Sequence, residues 1–290
     1  MTARNDHIML TVGRYIPLVV LALIFIFPMV FMVMSSFKPA MQLLSDTSSI
    51  AAFLPVGHIS LDNYVAAFRR APIGLFILNS IFVTSVTVVA SIFLCSLAGF
   101  STVFIEWKGR NLVLAAIVAT MIIPFEAVVI PMLLLVSKLP WIGANGLSFG
   151  WLNSYEVQII PFIADGLTVF LFVQYFRSLP GELIEAAQVE GAGWWLIYRR
   201  VVMPLAGPVV ATAAILKFLA MYNQYMWPLM VVQDEAYRPV MVGLQYFYQE
   251  SVPWGEVMAY LSIITVPVLI FYTFLQRAFI ASIAATGVKG

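Results

Sequence analysis

Six long apolar runs, separated by shorter polar segments, restrict this chain to one kind of fold. Each run is about as long as the ~20 predominantly apolar residues that a helix needs to cross a bilayer. In hydrocarbon only helices and closed barrels satisfy every backbone hydrogen bond, and these runs are continuous rather than alternating, so they predict helices. The predicted spans are roughly Ile16 to Met34, Leu78 to Phe100, Leu112 to Val136, Val157 to Phe176, Leu205 to Met230 and Val257 to Ile280.

The composition of the chain also indicates an integral membrane protein. Of its 290 residues 62% are hydrophobic and only 10% are charged, which is far from the usage of soluble domains. The formal net charge of +1 gives no reason to expect nucleic acid as a partner, whereas membrane lipid must surround the chain. The predicted fold class is all-α: a polytopic membrane protein with six transmembrane helices, forming a single transmembrane domain over residues 1–290.

The distribution of basic residues predicts the orientation in the membrane. Nine lysines and arginines fall on the side that carries both termini and the loop 178–204, against five on the other side. Because cytoplasmic segments carry an excess of basic residues, both termini and that loop are predicted to be cytoplasmic. The long loop 233–256 is then external.

The segment 178–208 is the longest internal stretch that combines charge, glycine and proline. It reads SLPGELIEAAQVEGAGWWLIYRRVVMPLAGP and predicts two short helices with a sharp bend. Pro180 suits a first helical turn, and Glu182 and Glu185 place negative charge near the positive end of that helix. Gly191 and Gly193 have weak helix propensity and tolerate positive φ, so they predict the bend.

The second half of this segment predicts an amphipathic helix at a membrane face. Residues 194–198 are aromatic or aliphatic, and Arg199 and Arg200 follow directly. Aromatic rings favour headgroup depth and arginines favour anionic lipid.

The spacing of Glu185-Ala186-Ala187, Gly191 and a later Pro204 resembles the EAA loop of permease subunits of bacterial ABC importers. Further segments along nearly the whole chain resemble the carbohydrate-uptake, MalG-like subfamily of these inner-membrane permeases. These segments are Ser35 to Pro39, Leu61 to Tyr64, Asn79-Ser80, Lys108 to Arg110, Tyr222-Asn223, Trp227 to Leu229 and Gly287 to Gly290.

The resemblance implies a cytoplasmic coupling-helix loop. Helix Glu182 to Glu190 would lie in a cleft of an ATPase subunit, and the tail Thr286 to Gly290 would reach between ATPase subunits. The alternatives are a solvated cytoplasmic helix and a frayed terminus. The residues to which the resemblance assigns coupling are Glu182, Glu185, Ala186, Ala187, Gly191, Gly287 and Lys289.

The sequence carries no motif for ATP hydrolysis or metal binding. It has no G-x-x-x-x-G-K-[ST] loop, no Cys/His cluster and no G-x-S-x-G elbow. We therefore expect no enzyme activity, no catalytic residue, no metal site and no cofactor in this chain. The resemblance places ATP and Mg on a separate ATPase homodimer or heterodimer. Its other implied partners are a second, MalF-like permease subunit and an extracellular or periplasmic substrate-binding protein.

Two opposite charges are predicted near the middle of the bilayer. Counted at ~1.5 Å per residue, Asp165 and Lys217 both lie roughly 17–18 Å from the cytoplasmic ends of their spans. An unpaired charge there costs at least ~2.5 kcal/mol. The two side chains are therefore expected either to line the translocation path or to form a salt bridge between helices.

Other polar and aromatic residues in the outer halves of the spans suit carbohydrate binding. Amides and carboxylates bond hydroxyl groups, and aromatic rings stack on sugar faces; plain helix packing is the alternative. These path candidates are Glu126, Tyr222, Asn223 and Gln224. By resemblance, the 233–256 loop meets the binding protein, although its aromatic residues also suit an interfacial belt. The docking candidates are Gln245, Tyr246, Tyr248 and Trp254.

Together these observations predict a permease subunit that forms half of the path for a sugar or oligosaccharide and works by alternating access. Two alternatives remain. One is an ABC permease for an acidic sugar or a phosphorylated polyol, which Lys217 would favour. The other is an ion-coupled secondary transporter that uses Asp165, Lys217 and Glu126 as a relay.

Overall fold

The computed structural model describes the backbone of residues 2–143, 146–248 and 252–287, and the side chains of 15–140, 149–248 and 252–276. Helices dominate, which confirms the predicted fold class. Up to the fourth run these are α1 (Thr2–Ser36), α2 (Ala40–Asp46), a 3-10 turn (Ile50–Phe53), α3 (Asp62–Arg70), α4 (Ile73–Phe104), α5 (Arg110–Thr120) and α6 (Phe125–Val136). Next along the chain come α7 (Glu156–Ile159), a 3-10 turn (Ile160–Phe162) and α8 (Gly166–Arg177).

The second half of the chain contains the polar loop and the last spans. Its first helices are α9 (Glu182–Val189), α10 (Trp194–Ile197), a π-helical turn (Tyr198–Val202) and α11 (Met203–Leu205). They are followed by α12 (Gly207–Tyr222), α13 (Met226–Val231), a 3-10 turn (Glu235–Tyr237), α14 (Val240–Gly243), a 3-10 turn (Leu244–Phe247) and α15 (Trp254–Gly287).

A short β-hairpin, which the sequence analysis did not predict, follows α6. Strand β1 (Pro140–Gly143) pairs antiparallel with β2 (Gly146–Phe149), with Pro140 opposite Phe149. Pro140 can stand here because it is the first residue of an edge strand, where a missing N–H costs no ladder bond.

Among the described residues, three continuous helices are long and apolar enough to cross a membrane, and three bent pairs would bring the number to six. The continuous ones are Tyr15–Ser36, Ile73–Phe104 and Trp254–Gln276. The bent pairs are Arg110–Thr120 with Phe125–Val136 at 102°, Glu156–Phe162 with Gly166–Arg177 at 40°, and Trp194–Leu205 with Gly207–Tyr222 at 79°. The six predicted runs are thus helical. The third and fourth are bent, whereas the third bent pair joins a helix of the loop 178–204 to α12, the first part of the fifth run.

The breaks inside the third, fourth and fifth predicted runs have local causes in the sequence. Proline disfavours helical backbone in the residue before it, and Pro124, with ψ 141°, begins α6 instead of continuing α5. Asp165 is extended, with φ −144° and ψ 153°, and caps α8. The predicted span Leu205 to Met230 ends as a continuous helix at Tyr222, because Asn223 terminates α12 and α13 begins only at Met226.

The chain divides into two compact units, the first of which comprises Met1–Ile73 and Leu244–Val266. Two sequence motifs hold each other here. The Asn63 amide donates to the carbonyl oxygens of Ser36 and Lys38 at 2.9 and 2.8 Å, and the Ser36 hydroxyl lies 2.8 Å from that of Tyr64. The Ser35 to Pro39 segment is therefore clamped by the start of α3.

The first unit also buries a cation. Lys38 is only 1% exposed, and its ammonium donates to Asp46 at 2.9 Å and to the carbonyl oxygen of Ala51. Desolvation of an ammonium is tolerated when it is paired and hydrogen-bonded in this way. The hydrogen bond from Lys38 holds the pKa of Asp46 below its usual value.

The second unit comprises Gly74–Gly243 and Pro267–Gly290. Its main core joins α4, α8 and the polar loop through Phe100, Phe172, Phe176, Ile184, Ile197 and Tyr198. A Cβ on Gly166 would lie 2.7 Å from the carbonyl oxygen of Ile117, and one on Gly99 would lie 2.9 Å from the Cβ of Phe172. These glycines allow α8 to approach both α5 and α4 closely.

Candidate functional site

The loop 178–204 forms two helices joined by a sharp turn, as predicted. Helix α9 ends at Val189, and Gly191 has a φ of +83°. The Gly191 amide donates to the carbonyl oxygen of Gln188 and the Ala192 amide to that of Ala187, both at 2.9 Å. This pair of bonds is a Schellman motif, which requires a left-handed residue at the position of Gly191. Gly193 has an ordinary φ of −73° and precedes α10.

Helix α9 is anchored by a single buried residue and leaves its other faces open. Ile184 packs into the core of the second unit, and Ala187 contacts the same cluster. Glu182, Glu185 and Ala186 are exposed. Within the described part of the chain Glu185 has no ion-pair partner. An exposed carboxylate beside the small Ala186 can therefore reach a partner without losing an internal contact.

A groove of about 580 Å³ runs beside α9. Its walls come from the end of α4 and from the loop, including Phe104, Glu106, Gln188 and Trp194. Its mixed polar and apolar lining suits a protein side chain more than hydrocarbon. The two candidates Gly287 and Lys289 lie elsewhere in the chain: Gly287 is the last residue of α15, and Lys289 lies outside the described residues.

The second loop helix connects the loop to α4. The Tyr198 hydroxyl lies 2.8 Å from that of Ser96, and the Tyr198 ring meets Phe100 at 5.4 Å between centroids. Ile197 and Tyr198 are buried, whereas Trp194, Trp195, Arg199 and Arg200 are exposed. The predicted amphipathic helix is present, with Tyr198 on its buried face.

Asp165 and Lys217 are brought together by the fold. The Lys217 ammonium donates to Asp165 Oδ2 at 2.7 Å, and the two residues are 8% and 32% exposed. Asp165 also accepts from the backbone N–H of Thr168 at 3.0 Å and from its hydroxyl at 2.9 Å, so it caps α8. Of the two expectations from the sequence, the salt bridge between helices is the one that the geometry matches.

The remaining path candidates do not form one cluster with this pair. Tyr222 is buried and stacks on Phe218 at 5.5 Å. The exposed Asn223 donates to the carbonyl oxygen of Leu219 within its own helix at 2.9 Å, and Gln224 is half-buried. Glu126 is exposed in the first turn of α6 and forms no ion pair within the described side chains.

The predicted external loop 233–256 belongs to both compact units, which divide at Leu244, and its residues 249–251 lie outside the described part. Of the docking candidates, Tyr248, Trp254 and Gln245 are exposed and Tyr246 is half-buried. Phe247 between them is fully buried and contacts an aromatic ring of α15 at 5.0 Å.

Sequence reasoning missed the clamp that fixes the first part of this loop. The buried Asn79 amide donates to the carbonyl oxygens of Ala236 and Arg238 at 2.8 and 3.0 Å, and it accepts from the Tyr155 hydroxyl at 2.8 Å. The sequence feature that could have indicated this clamp is the amide of Asn79 at the start of an apolar run, because a polar group there needs a hydrogen-bond partner.

Broken membrane helices and an exposed two-helix loop define a polytopic membrane protein. The particular family follows from comparison with known proteins. The family model described as "Binding-protein-dependent transport system inner membrane component" matches residues 91–284. The chain belongs to this family.

Similar proteins include two curated permeases that align with almost the whole chain. The arabinooligosaccharides transport system permease protein AraQ of Halalkalibacterium halodurans is 31% identical over 277 residues, covering 93% of each chain. The trehalose/maltose transport system permease protein MalG of Thermococcus litoralis is 28% identical over 290 residues, covering 98% of this chain and 97% of that protein.

A solved structure shares the fold. It is titled as a bacterial ABC transporter involved in the import of the acidic polysaccharide alginate, and it superposes with a TM-score of 0.76 at 22% identity over 95% of this chain and 98% of that one. At this identity the likeness shows the fold alone.

Proposed function

We propose that this chain is one of two permease subunits of an ATP-driven importer for a sugar or oligosaccharide, and that it forms half of the translocation path. The observation that carries the coupling half of the proposal is the exposed helix α9. Its Glu185 has no ion-pair partner among the described side chains, and its end is fixed by Gly191. The named cargoes of the two curated relatives, arabinooligosaccharides and trehalose or maltose, support the carbohydrate half.

In this proposal a cytoplasmic ATPase dimer binds ATP and Mg, and this chain carries no cofactor. Helix α9 enters a groove of the ATPase, where Glu185 meets a basic side chain through a charge-assisted hydrogen bond. Closure of the ATPase moves α9, and the movement reaches the spans through Ile184 and Tyr198. Both termini and the loop lie in the cytoplasm of a bacterium, as the basic residues indicate.

A binding protein delivers the cargo on the opposite face. Tyr248 and Trp254 offer exposed aromatic area for docking there, and the buried Phe247 anchors the residue next to Tyr248. Aromatic residues are favoured in the cores of protein interfaces.

A neutral cargo is favoured over an acidic one. The cation that would attract an anionic sugar, Lys217, is neutralised by Asp165 at 2.7 Å and is nearly buried. Glu126 is a path candidate with an exposed carboxylate that forms no ion pair with the side chains that the structure describes. This group accepts hydroxyl hydrogen bonds but repels anions.

The test is co-purification and ATPase activity of the importer reconstituted with its neighbouring transport genes. Glu185→Ala is expected to weaken ATPase binding and to lower substrate-stimulated hydrolysis roughly ten-fold or more, because a charge-assisted hydrogen bond contributes about 1.5–3 kcal/mol. Asp62→Ala is the control, since it removes an equally exposed carboxylate from α3, outside the loop 178–204, and should leave activity near wild type. An importer that assembles and hydrolyses ATP equally well with either substitution contradicts the proposed coupling.

A further inference from the structure

A second groove lies on the second unit, between the end of α4 and the start of the second loop helix. It has a volume of about 440 Å³, and the residues that shape it are Leu97, Ala98, Phe100, Ser101, Trp194 and Trp195. Its size falls in the range of about 300–1,000 Å³ that is usual for small-molecule sites. The proposed coupling mechanism uses the Tyr198 side chain, which is part of the lining, but it leaves the space itself without a role.

The depth of this groove in the membrane follows from its position on α4. The helix Ile73–Phe104 is one of the continuous spans, and the groove occupies its last two turns. Trp194 and Trp195 at its side are 39% and 57% exposed. Exposed tryptophans at the end of a span are typical of the headgroup boundary, where one side of the ring is apolar and the other is wet.

Polar groups are held at one end of the groove by contacts with residues that line it. The Trp107 indole N–H donates to the carbonyl oxygen of Ser101 at 3.2 Å, and the Arg110 guanidinium donates to that of Ile105 at 3.3 Å. Ser101 and Ile105 both belong to the lining. The arginine is therefore fixed next to an apolar channel rather than extended freely into solvent.

The charge at this end favours an anion. The turn 106–110 contains Glu106, Lys108 and Arg110, so its formal charge is positive, and Arg199 and Arg200 are exposed one turn beyond Trp195. Arginine binds phosphate groups in a bidentate manner. An occupant with a long apolar part and an anionic phosphate satisfies both ends of the groove.

We propose that this groove binds one anionic phospholipid, with an acyl chain against Leu97 and Ala98 and the phosphate at Arg110. The site does not depend on which cargo the transporter carries, nor on which leaflet the groove faces. Phosphatidylglycerol is the probe of choice, because it combines the apolar and anionic parts without other charged groups.

The experiment uses the complete reconstituted transporter in nanodiscs that contain phosphatidylglycerol with a photoreactive diazirine in its acyl chain. After illumination, the adducts are mapped by peptide mass. We expect them to concentrate on peptides 97–105 and 194–198. The matching phosphatidylcholine probe is expected to label these peptides several-fold less.

Two pairs of variants test the two ends of the groove. Leu97→Trp fills the groove and should remove the labelling, whereas Leu112→Trp makes the same change on an exposed surface of α5 and should not. Arg110→Gln should lower labelling by phosphatidylglycerol several-fold. Arg177→Gln, at an exposed arginine outside the lining of the groove, should leave the labelling unchanged. Thermal unfolding midpoints confirm that all four variants fold.

Three results would overturn this inference. Adducts spread evenly over the exposed spans would mean bulk lipid only. Unlabelled groove peptides would mean that a partner polypeptide covers the groove. Equal labelling by the two lipids, unaffected by Arg110→Gln, would mean that no phosphate site exists.

Discussion

The ion pair between α8 and α12 predicts an unequal response to removal of its two charges. Asp165→Asn keeps the helix cap, because Asn and Asp are equivalent in that position, but it leaves the Lys217 ammonium, 8% exposed, without a carboxylate. Removing one partner of a buried pair costs about 3–5 kcal/mol. We expect Asp165→Asn to lower the free energy of unfolding by about this amount.

The reverse substitution is expected to cost less. In Lys217→Met the carboxylate of Asp165 keeps both hydrogen bonds from Thr168 and is about a third exposed. Partial hydration and these two bonds reduce the penalty to roughly 2 kcal/mol. The double variant carries no charge at all and should recover most of the loss, since a well-packed neutral pair is often as stable as a buried salt bridge.

The assay is the thermal unfolding midpoint of the four proteins in a double-mutant cycle, read together with transport. A loss of 1 kcal/mol lowers the midpoint of a chain of this size by roughly 2–4 °C, so Asp165→Asn should lower it by about 10 °C. Arg177→Met, which removes an exposed arginine without an ion pair in the described part of the chain, is the control, with an expected cost of about 0.5 kcal/mol or less. Additive losses, with no recovery in the double variant, would refute the reasoning.

Three further predictions concern backbone strain, close packing and pH. Gly191→Ala should lower the free energy of unfolding by about 1–2 kcal/mol and weaken ATPase binding, because a side chain at φ +83° is strained even though no atom lies within 4 Å of its Cβ. Gly193→Ala, at φ −73° with the same open space, should change neither property. Gly166→Ala should lower the unfolding midpoint by overpacking α5 against α8, at about 1–3 kcal/mol. Because the pKa of Asp46 is lowered in the folded state, its ionised form stabilises α2 at neutral pH, and this stabilisation should be lost as the pH falls below about 4. Faster cleavage of α2 by pepsin at low pH would detect the loss, and the Asp46→Asn variant should not show this pH dependence.

The existence of the spans could be predicted from the sequence, but their continuity could not. Run length and hydropathy detect a stretch of residues that prefers hydrocarbon, but they do not detect a single residue that ends a helix inside the membrane. Asp165 shows the difficulty well. Its charge predicted a partner of opposite charge. Asp165 is also the N-cap of α8, where it accepts hydrogen bonds from Thr168, and this second role breaks the span in which it lies.

Equal depth along two helices also leaves their rotation undetermined, so the sequence allowed Asp165 and Lys217 either to pair or to face the path. Only packing decides between these, and it places them 2.7 Å apart. The hydrogen bonds from Asn63 to the backbone of Ser36 and Lys38 could not be predicted from the sequence either. Two segments separated by 25 or more residues carry no periodic signal of their contact.

The loop 178–204, for which we propose the coupling role, is suited to transmit force because its two helices pack against the same core. Ile184 from α9 and Tyr198 from the second loop helix both pack in the cluster that contains Phe100 and Phe176. The Schellman bonds at Gly191 close the end of α9, and only residues 190–193 separate it from α10, so the connection between the two helices is short. Packed interiors have low compressibility, so in the proposed mechanism a displacement of α9 by the ATPase is expected to move α4 and α8 together.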